Sequence, residues 1–365
     1  MKKIFSLLCF VLAASTASAV FSGHYFCYQF GSETHQNRLY TSTSDVGAHY
    51  MGVRLGGVPL YMMLDTNTRA DAGHFRAKVA GTVYAGIPIA HAYYTKWGSY
   101  GTGNDNYNFP SGIVVNGNGV YVCDFGNARI KQTTISGTFV RAWGSVCTGD
   151  GQFDIGPHSI AADGSGNIYV TNADVNYRVQ KFSSTGTFIT KWGSSGTGDG
   201  QFKSMRGIAV DSSGYVYVAD YGNYRVQKFT SSGTFVTKWG SEGTGNGQFK
   251  GIKGIAVDDE GYIWVVDTVN QNVQRFSNTG TYQSKITSGL SSPWGVACSS
   301  DGYIFVSDTG TSKINKYTKT GTLITSWGTN GTGDGQFDSL YGIGVDGDGN
   351  IFASDGNNER VQVFK

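Results

Sequence analysis

Gly207-Ile-Ala-Val-Asp211, Tyr215-Val-Tyr-Val-Ala-Asp220, Arg225-Val-Gln-Lys-Phe229, Thr234-Phe-Val-Thr-Lys-Trp-Gly240 and Gly243-Thr-Gly-Asn-Gly-Gln-Phe249 form one copy of a unit that fills residues 97–365. Its opening position recurs at Gly112, Ser159, Gly207, Gly254, Gly295 and Gly342, in steps of 47, 48, 47, 41 and 47 residues. A period in the forties, with four short strands per unit, is the signature of a β-propeller blade. Six copies predict an all-β, six-bladed ring.

Within the copy, Ile208–Val210 reads as the innermost strand, Tyr215–Ala219 as the second, Arg225–Phe229 as the third and Phe235–Trp239 as the outer edge. Ser212-Ser213-Gly214, Tyr221-Gly222-Asn223 and Ser231-Ser232-Gly233 separate them with residues that tolerate positive φ. Runs such as Tyr-Val-Tyr-Val are apolar without alternation, as expected for sheets covered on both faces by neighbouring blades.

The ends of the repeat predict how the ring closes. The sixth unit stops at Val361-Gln-Val-Phe-Lys365 and lacks an outer strand, whereas Thr95-Lys-Trp97-Gly98 stands alone before the first unit. Ala92–Trp97 is therefore expected to pair beside Arg360–Phe364, removing two open sheet edges. The fifth unit departs from the pattern: Ile286-Thr287 replaces Trp-Gly, and Gly289-Leu-Ser-Ser-Pro293 replaces the glycine-rich connection. The six-residue deficit falls in that loop, where a shallow edge is expected.

The strings Gly-Asp-Gly-Gln-Phe (199–202 region), Gly-Ile-Ala-Val-Asp, Val-Tyr-Val-Ala-Asp and Asn-x-Arg-Val-Gln-Lys-Phe resemble the NHL repeat family over about three quarters of the chain. The resemblance implies a six-bladed NHL propeller, generally a binding platform. The family also includes a peptide-amidating lyase, other bacterial lyases and the tails of tripartite-motif ubiquitin ligases. Fold alone does not choose among them.

Composition sets the outer bounds. Gly is 54 of 365 residues, roughly twice the usual share, but Pro is only 5 and aromatics make up 14%, which suits a packed chain with many tight turns. A net charge of +2 offers no polyanion field, so nucleic acid is not an expected partner. Lys2-Lys3, the apolar run Ile4–Ala14 and Ala17-Ser18-Ala19 read as a signal peptide over residues 1–19, hence a secreted, periplasmic or extracellular protein. The run is shorter than the ~20 residues needed to span a bilayer, and no membrane insertion is expected after cleavage.

Residues 20–91 form a separate β-rich module with its own duplication, Asp45–Val58 resembling Asp71–Val83, and the propeller occupies 92–365. His49 and His74 with Asp45 and Asp71 lack a tight metal constellation. Cys27, Cys123, Cys147 and Cys298 lack CxxC spacing, so neither zinc nor another cofactor is expected. Export permits a disulfide, but the pairing is not readable.

The recurring carboxylates read as structural. Asp211, Asp258 and Asp346 end innermost strands; Asp124, Asp220, Asp267, Asp308 and Asp355 end second strands, where capping and pairing with a residue such as Arg225 explain them. The Gly-Thr-Gly-Asp-Gly-Gln-Phe loops lack the helix that a phosphate loop requires and read as connectors, with Phe153, Phe202, Phe249 and Phe337 packed between blades. A site should lie where the copies disagree. The residue preceding the innermost strand is Ser111, His158, Arg206, Lys253, Trp294 and Tyr341 in successive units. These six are expected to ring one channel mouth, a cationic arc facing aromatic surfaces, suited to an anionic, glycan or peptide ligand. An exported binding, scaffold or adhesion module for protein, peptide or glycan is the preferred reading, with no assigned catalytic residue. The alternative is a channel-mouth lyase or hydrolase using His158 or Tyr341 as base beside Arg206.

Overall fold

The computed structural model describes residues 91–172 and 177–365 in full, and seven strands between 19 and 88 by their backbone. The chain divides into two compact units, Met1–Ile89 and Ala90–Lys365. The expected signal peptide lies outside the described residues except for its last position.

Among the described residues the first unit has two antiparallel sheets. Ala19–Ser22, Tyr25–Phe30 and Glu33–Arg38 form one; Ala48–Leu55, Val58–Asp65, His74–Val79 and Thr82–Pro88 form the other in sequence order. The second sheet is two hairpins in tandem, the duplication seen in the sequence. Asp45 and Asp71 and the side chains of His49, His74 and Cys27 lie outside the described residues.

The second unit is a ring of six four-stranded antiparallel sheets. Blade three has the order Met205–Val210, Val216–Asp220, Arg225–Phe229 and Phe235–Trp239. The second and third strands are buried along their whole length, while the outer strand alternates half-buried and exposed. The outer strand is the one with exposed side chains, and there the two-residue period returns.

The core is divided among the six joints between blades. Ala161, Tyr169 and Val179 of blade two pack on Met205, Ile208 and Phe229 of blade three, and the other joints repeat this pattern. The sixth joint puts Phe352, Val361 and Val363 against Ile113, Val120 and Val122 and so closes the circle. Phe153, Phe202, Phe249 and Phe337 are each fully buried in a joint. With stabilisation spread over six interfaces, no blade has a complete core of its own.

Blade six takes its outer strand from Tyr93–Trp97, which pairs antiparallel with Arg360–Phe364; Val361 lies opposite Trp97 and Gln362 opposite Lys96. Ile286 ends the outer strand of blade four and is buried, so the missing six residues belong to the connection from blade four into blade five. Among the described residues no helix is long and apolar enough to cross a membrane, and Cys123, Cys147 and Cys298 are unbridged.

Candidate ligand site at the channel mouth

The innermost strands begin two to three residues earlier than their apolar core suggests, because each starts on a buried residue opposite the end of the second strand. Met205 pairs with Asp220 and Ile208 with Val218, leaving Arg206 and Gly207 opposite Ala219 alone. The same irregularity recurs in all six blades. The six variable residues therefore do not precede the strand, as the sequence suggests. They sit in a β-bulge within it, and a bulge re-aims a side chain while leaving the flanking ladder intact.

Glycine at the next position lets the strands crowd around the axis. A Cβ on Gly207 would lie 2.3 Å from the carbonyl oxygen of Lys253, and one on Gly342 equally close to that of Ser111. Hydroxyls fasten several of these bulges across the joints: Ser111 Oγ donates to His158 O at 3.1 Å, Thr171 Oγ1 to Arg206 O at 2.8 Å and Ser307 Oγ to Tyr341 O at 2.5 Å. The mouth backbone is thus held between blades and is preorganised.

The side chains form an almost continuous circuit. An Arg206 guanidinium nitrogen lies 2.9 Å from His158 Nδ1. Lys253 Nζ sits 3.2 Å above the Trp294 ring, and Trp294 meets Tyr341 edge-on at 4.5 Å between centroids. Phe109 lies 5.2 Å from Tyr341 and 6.0 Å from Phe125, and Phe125 returns to His158 at 4.9 Å. Between Arg206 and Lys253 the circuit is interrupted by two like charges. Burial, and then the Arg206 charge, push the Lys253 ammonium down to about 8. An anion placed between them would relieve both effects.

Below the side chains lies a hollow with about 590 Å³ of empty space, part of it open to solvent, floored by Ile113, Ile160, Ile208, Ile255, Val296 and Ile343. Ser111, His158, Arg206, Lys253 and Trp294 line it. Tyr341 is not part of that lining and meets it through the edge-on contact with Trp294. The lining contains no Asp or Glu.

Phe109 and Phe125 were not singled out by sequence reading. Phe125 follows the last residue of the second strand, where blade three has Tyr221 and blade five Thr309. Phe109 precedes the innermost strand, where blades three and six have Ser204 and Ser339. Phe109 keeps φ at +58°, a left-handed conformation costly for a bulky residue. These are two more positions where the copies disagree, and comparison of every column of the repeat would have found them.

The repeated carboxylates are structural. Asp211 accepts from Ser213 N, Tyr215 N and the Tyr217 hydroxyl at 2.8–3.0 Å. Asp220 accepts from Arg225 Nε at 2.8 Å, and the same guanidinium donates to Thr197 O, Gly198 O and Gln201 O. The glycine-rich loops therefore turn carbonyls inward around an arginine, the opposite polarity to a phosphate cradle. Among the described residues no group of three His, Cys, Asp or Glu could hold a metal.

Residues 107–132 and 203–229 match the family model of the NHL repeat. No curated protein matches the chain in sequence. Among solved structures, the chain is similar to a structural-genomics protein of unknown function from Bacteroides thetaiotaomicron at 14% identity, covering 96% of this chain and 98% of that one with a TM-score of 0.60. It is similar to a streptogramin B lyase at 15% identity, covering 89% and 95% with a TM-score of 0.52. A gluconolactonase from Xanthomonas campestris is similar at 11% identity, covering 72% and 88% with a TM-score of 0.54. At these identities the likeness is one of fold.

Proposed function

From a six-bladed propeller built of NHL repeats, we propose an exported binding protein whose channel mouth captures an anionic ligand with a flat apolar face, presented by a peptide or a glycan. The observation that carries this reading is the juxtaposition of Arg206 and Lys253 with the Trp294 face, all on bulged backbone. Two cations can grip one carboxylate or sulfate by charge-assisted hydrogen bonds, each contributing about 1.5–3 kcal/mol when shielded from water. An anion that draws Lys253 away from the Trp294 ring would uncover the kind of stacking surface that sugars and planar amides use. The first unit would tether or extend this platform outside the cell.

Glycan and peptide arrays on the purified protein, followed by calorimetry on the strongest hits, test the proposal. The double variant R206A/K253A should weaken an array hit by at least tenfold. Unaltered affinity rejects the mouth as the site.

One observation favours a second reading. An imidazole 2.9 Å from a guanidinium places a base, His158, beside a cation able to hold an oxyanion, as an eliminating lyase would need. Turnover of an array hit, lost in H158A while binding persists, would select it over the platform.

A further inference from the structure

We infer that the loop entering blade four holds a hard, oxygen-liganded cation in the place that the repeat elsewhere gives to an arginine. In blades one, two, three and six the first residue of the third strand is Arg129, Arg178, Arg225 and Arg360. Each guanidinium donates to three carbonyls of the entering loop at 2.7–3.1 Å: Thr197, Gly198 and Gln201 in blade three, Thr332, Gly333 and Gln336 in blade six. Blade four keeps the loop and loses the guanidinium, because Asn272 occupies that position, in the same register opposite Asp267 as Arg225 opposite Asp220.

The loop does not collapse in response. Gly243 and Gly247 hold φ at +154° and +78°, against +150° and +74° at Gly196 and Gly200. Gly245 N still donates to Gln248 Oε1 at 3.0 Å, and Asn270 still bridges Gly243 O and Asp267 as Asn223 bridges Gly196 O and Asp220. The carbonyls of Thr244, Gly245 and Gln248 are thus presented as in the filled copies. Two further features mark the place. Asn272 is 6% exposed and its Oδ1 is buried without a hydrogen-bond partner. Asp267 is fully buried and, among the described residues, pairs with no cation; like Asp308 of blade five it is held by amides, accepting from Lys250 N, Gly251 N and both nitrogens of Asn270, whereas Asp124, Asp220 and Asp355 each hold an arginine.

One carboxylate, one amide oxygen and three backbone carbonyls form an all-oxygen donor set, the kind that selects hard cations over transition metals. With a single negative charge and carbonyls spaced to meet N–H groups, the set is matched to potassium or sodium. Calcium, which favours more carboxylate, is the alternative source of the same chemistry. Asn272 acts as a ligand, and the ion neutralises Asp267 as the arginine does in its sister blades.

Thermal unfolding at constant ionic strength tests this directly. Replacing tetramethylammonium chloride by potassium or sodium chloride should raise the Tm of the wild type by about 2–4 °C. A rise with millimolar calcium alone supports the site with a divalent occupant. N272R, which restores the residue found in four other blades, should be at least as stable as the wild type in tetramethylammonium and should lose the cation effect. An absence of any cation-specific rise in the wild type means that the cradle holds water only, and an undiminished rise in N272R places the ion elsewhere; either overturns the inference. If N272R does not fold, thallium-soaked wild-type crystals decide, with an anomalous peak among the three carbonyls expected and a featureless cradle refuting it.

Discussion

The His91 ring packs against the Trp327 indole with centroids 5.1 Å apart, at the one point of the circle where a blade lacks its outer hairpin. Elsewhere the tryptophan ending an outer strand reaches across to the hairpin glycine of the next blade. Trp143 lies over Gly186 and Trp192 over Gly233, so closely that a Cβ would fall 2.5–2.6 Å from the indole. Trp327 has no such hairpin to meet, because the outer strand of blade six comes from the other end of the propeller. Ala92, near the start of the propeller, and Lys365 exchange both backbone hydrogen bonds there, at 2.8 and 3.0 Å, and His91 covers the tryptophan.

This placement makes the closure pH-sensitive. Burial, and then the Lys316 charge, push the His91 imidazole down to about 4. Its folded-state value is below the unfolded one of about 6.5, so its contribution is complete above pH 6.5 and is lost as pH falls toward 4. Partial exposure limits the effect to roughly 1–2 kcal/mol. Urea titrations at pH 7 and 4.5 should show a loss of stability in the wild type that is smaller in H91F. Equal losses in both would remove His91 from the account.

The strand that His91 introduces should act as a latch. Deleting residues 91–98 leaves Arg360–Phe364 with an open edge and exposes the sixth joint. Cooperative unfolding in calorimetry should be abolished or broadened, with a marked fall in Tm. An unchanged transition would mean that the joint alone seals the ring.

Much of this architecture could be read from spacing, because a repeat averages out accident: blade number, strand order and the role of Trp97 all follow from columns of similar residues. The channel-mouth residues were found by the opposite signal, disagreement within one column. The bulge that aims them could not be read, since Met205 and Pro293 look like loop residues until the pairing with Asp220 and Asp308 is seen. Tyr341 joins the circuit through Trp294 without being among the residues that line the hollow. A position in the ring says nothing of rotamer, and its neighbour Trp294 takes the cavity wall.

Arg225 illustrates how the connectors are held. Its side chain is 8% exposed, and it joins buried Asp220 to three loop carbonyls. Truncation leaves a buried carboxylate and the loop without donors, so R225A should cost about 3–5 kcal/mol in chemical denaturation. R225K, with one point charge in place of a planar fork, should recover less than half of it. A loss below about 1 kcal/mol, the range of surface ion pairs, would show the clamp to be dispensable.

Phe109 should separate binding from stability. Its left-handed backbone is shared with Ser204 and Ser339, which carry no ring into the mouth. F109S relieves strain while losing contacts with Tyr341 and Phe125, so Tm should change little, whereas affinity for an array hit should fall severalfold. A large drop in Tm with unchanged affinity would make Phe109 a packing residue.

Lys253 gives the mouth a pH profile of its own. In the free protein its ammonium loses a proton near pH 8 because burial and Arg206 oppose the charge. A bound anion reverses the local potential and raises that value, so binding must take up protons around and above pH 8. Affinity for an acidic ligand should be flat from pH 6 to 7 and should decline as pH rises through 8, approaching a new plateau once the bound form also deprotonates. K253R stays charged throughout, and the decline should vanish in that variant while R206K retains it. Calorimetry in buffers of different ionisation enthalpy would read the proton uptake directly. If affinity were flat to pH 10 in the wild type, Lys253 would not face the ligand and the cationic arc would reduce to Arg206.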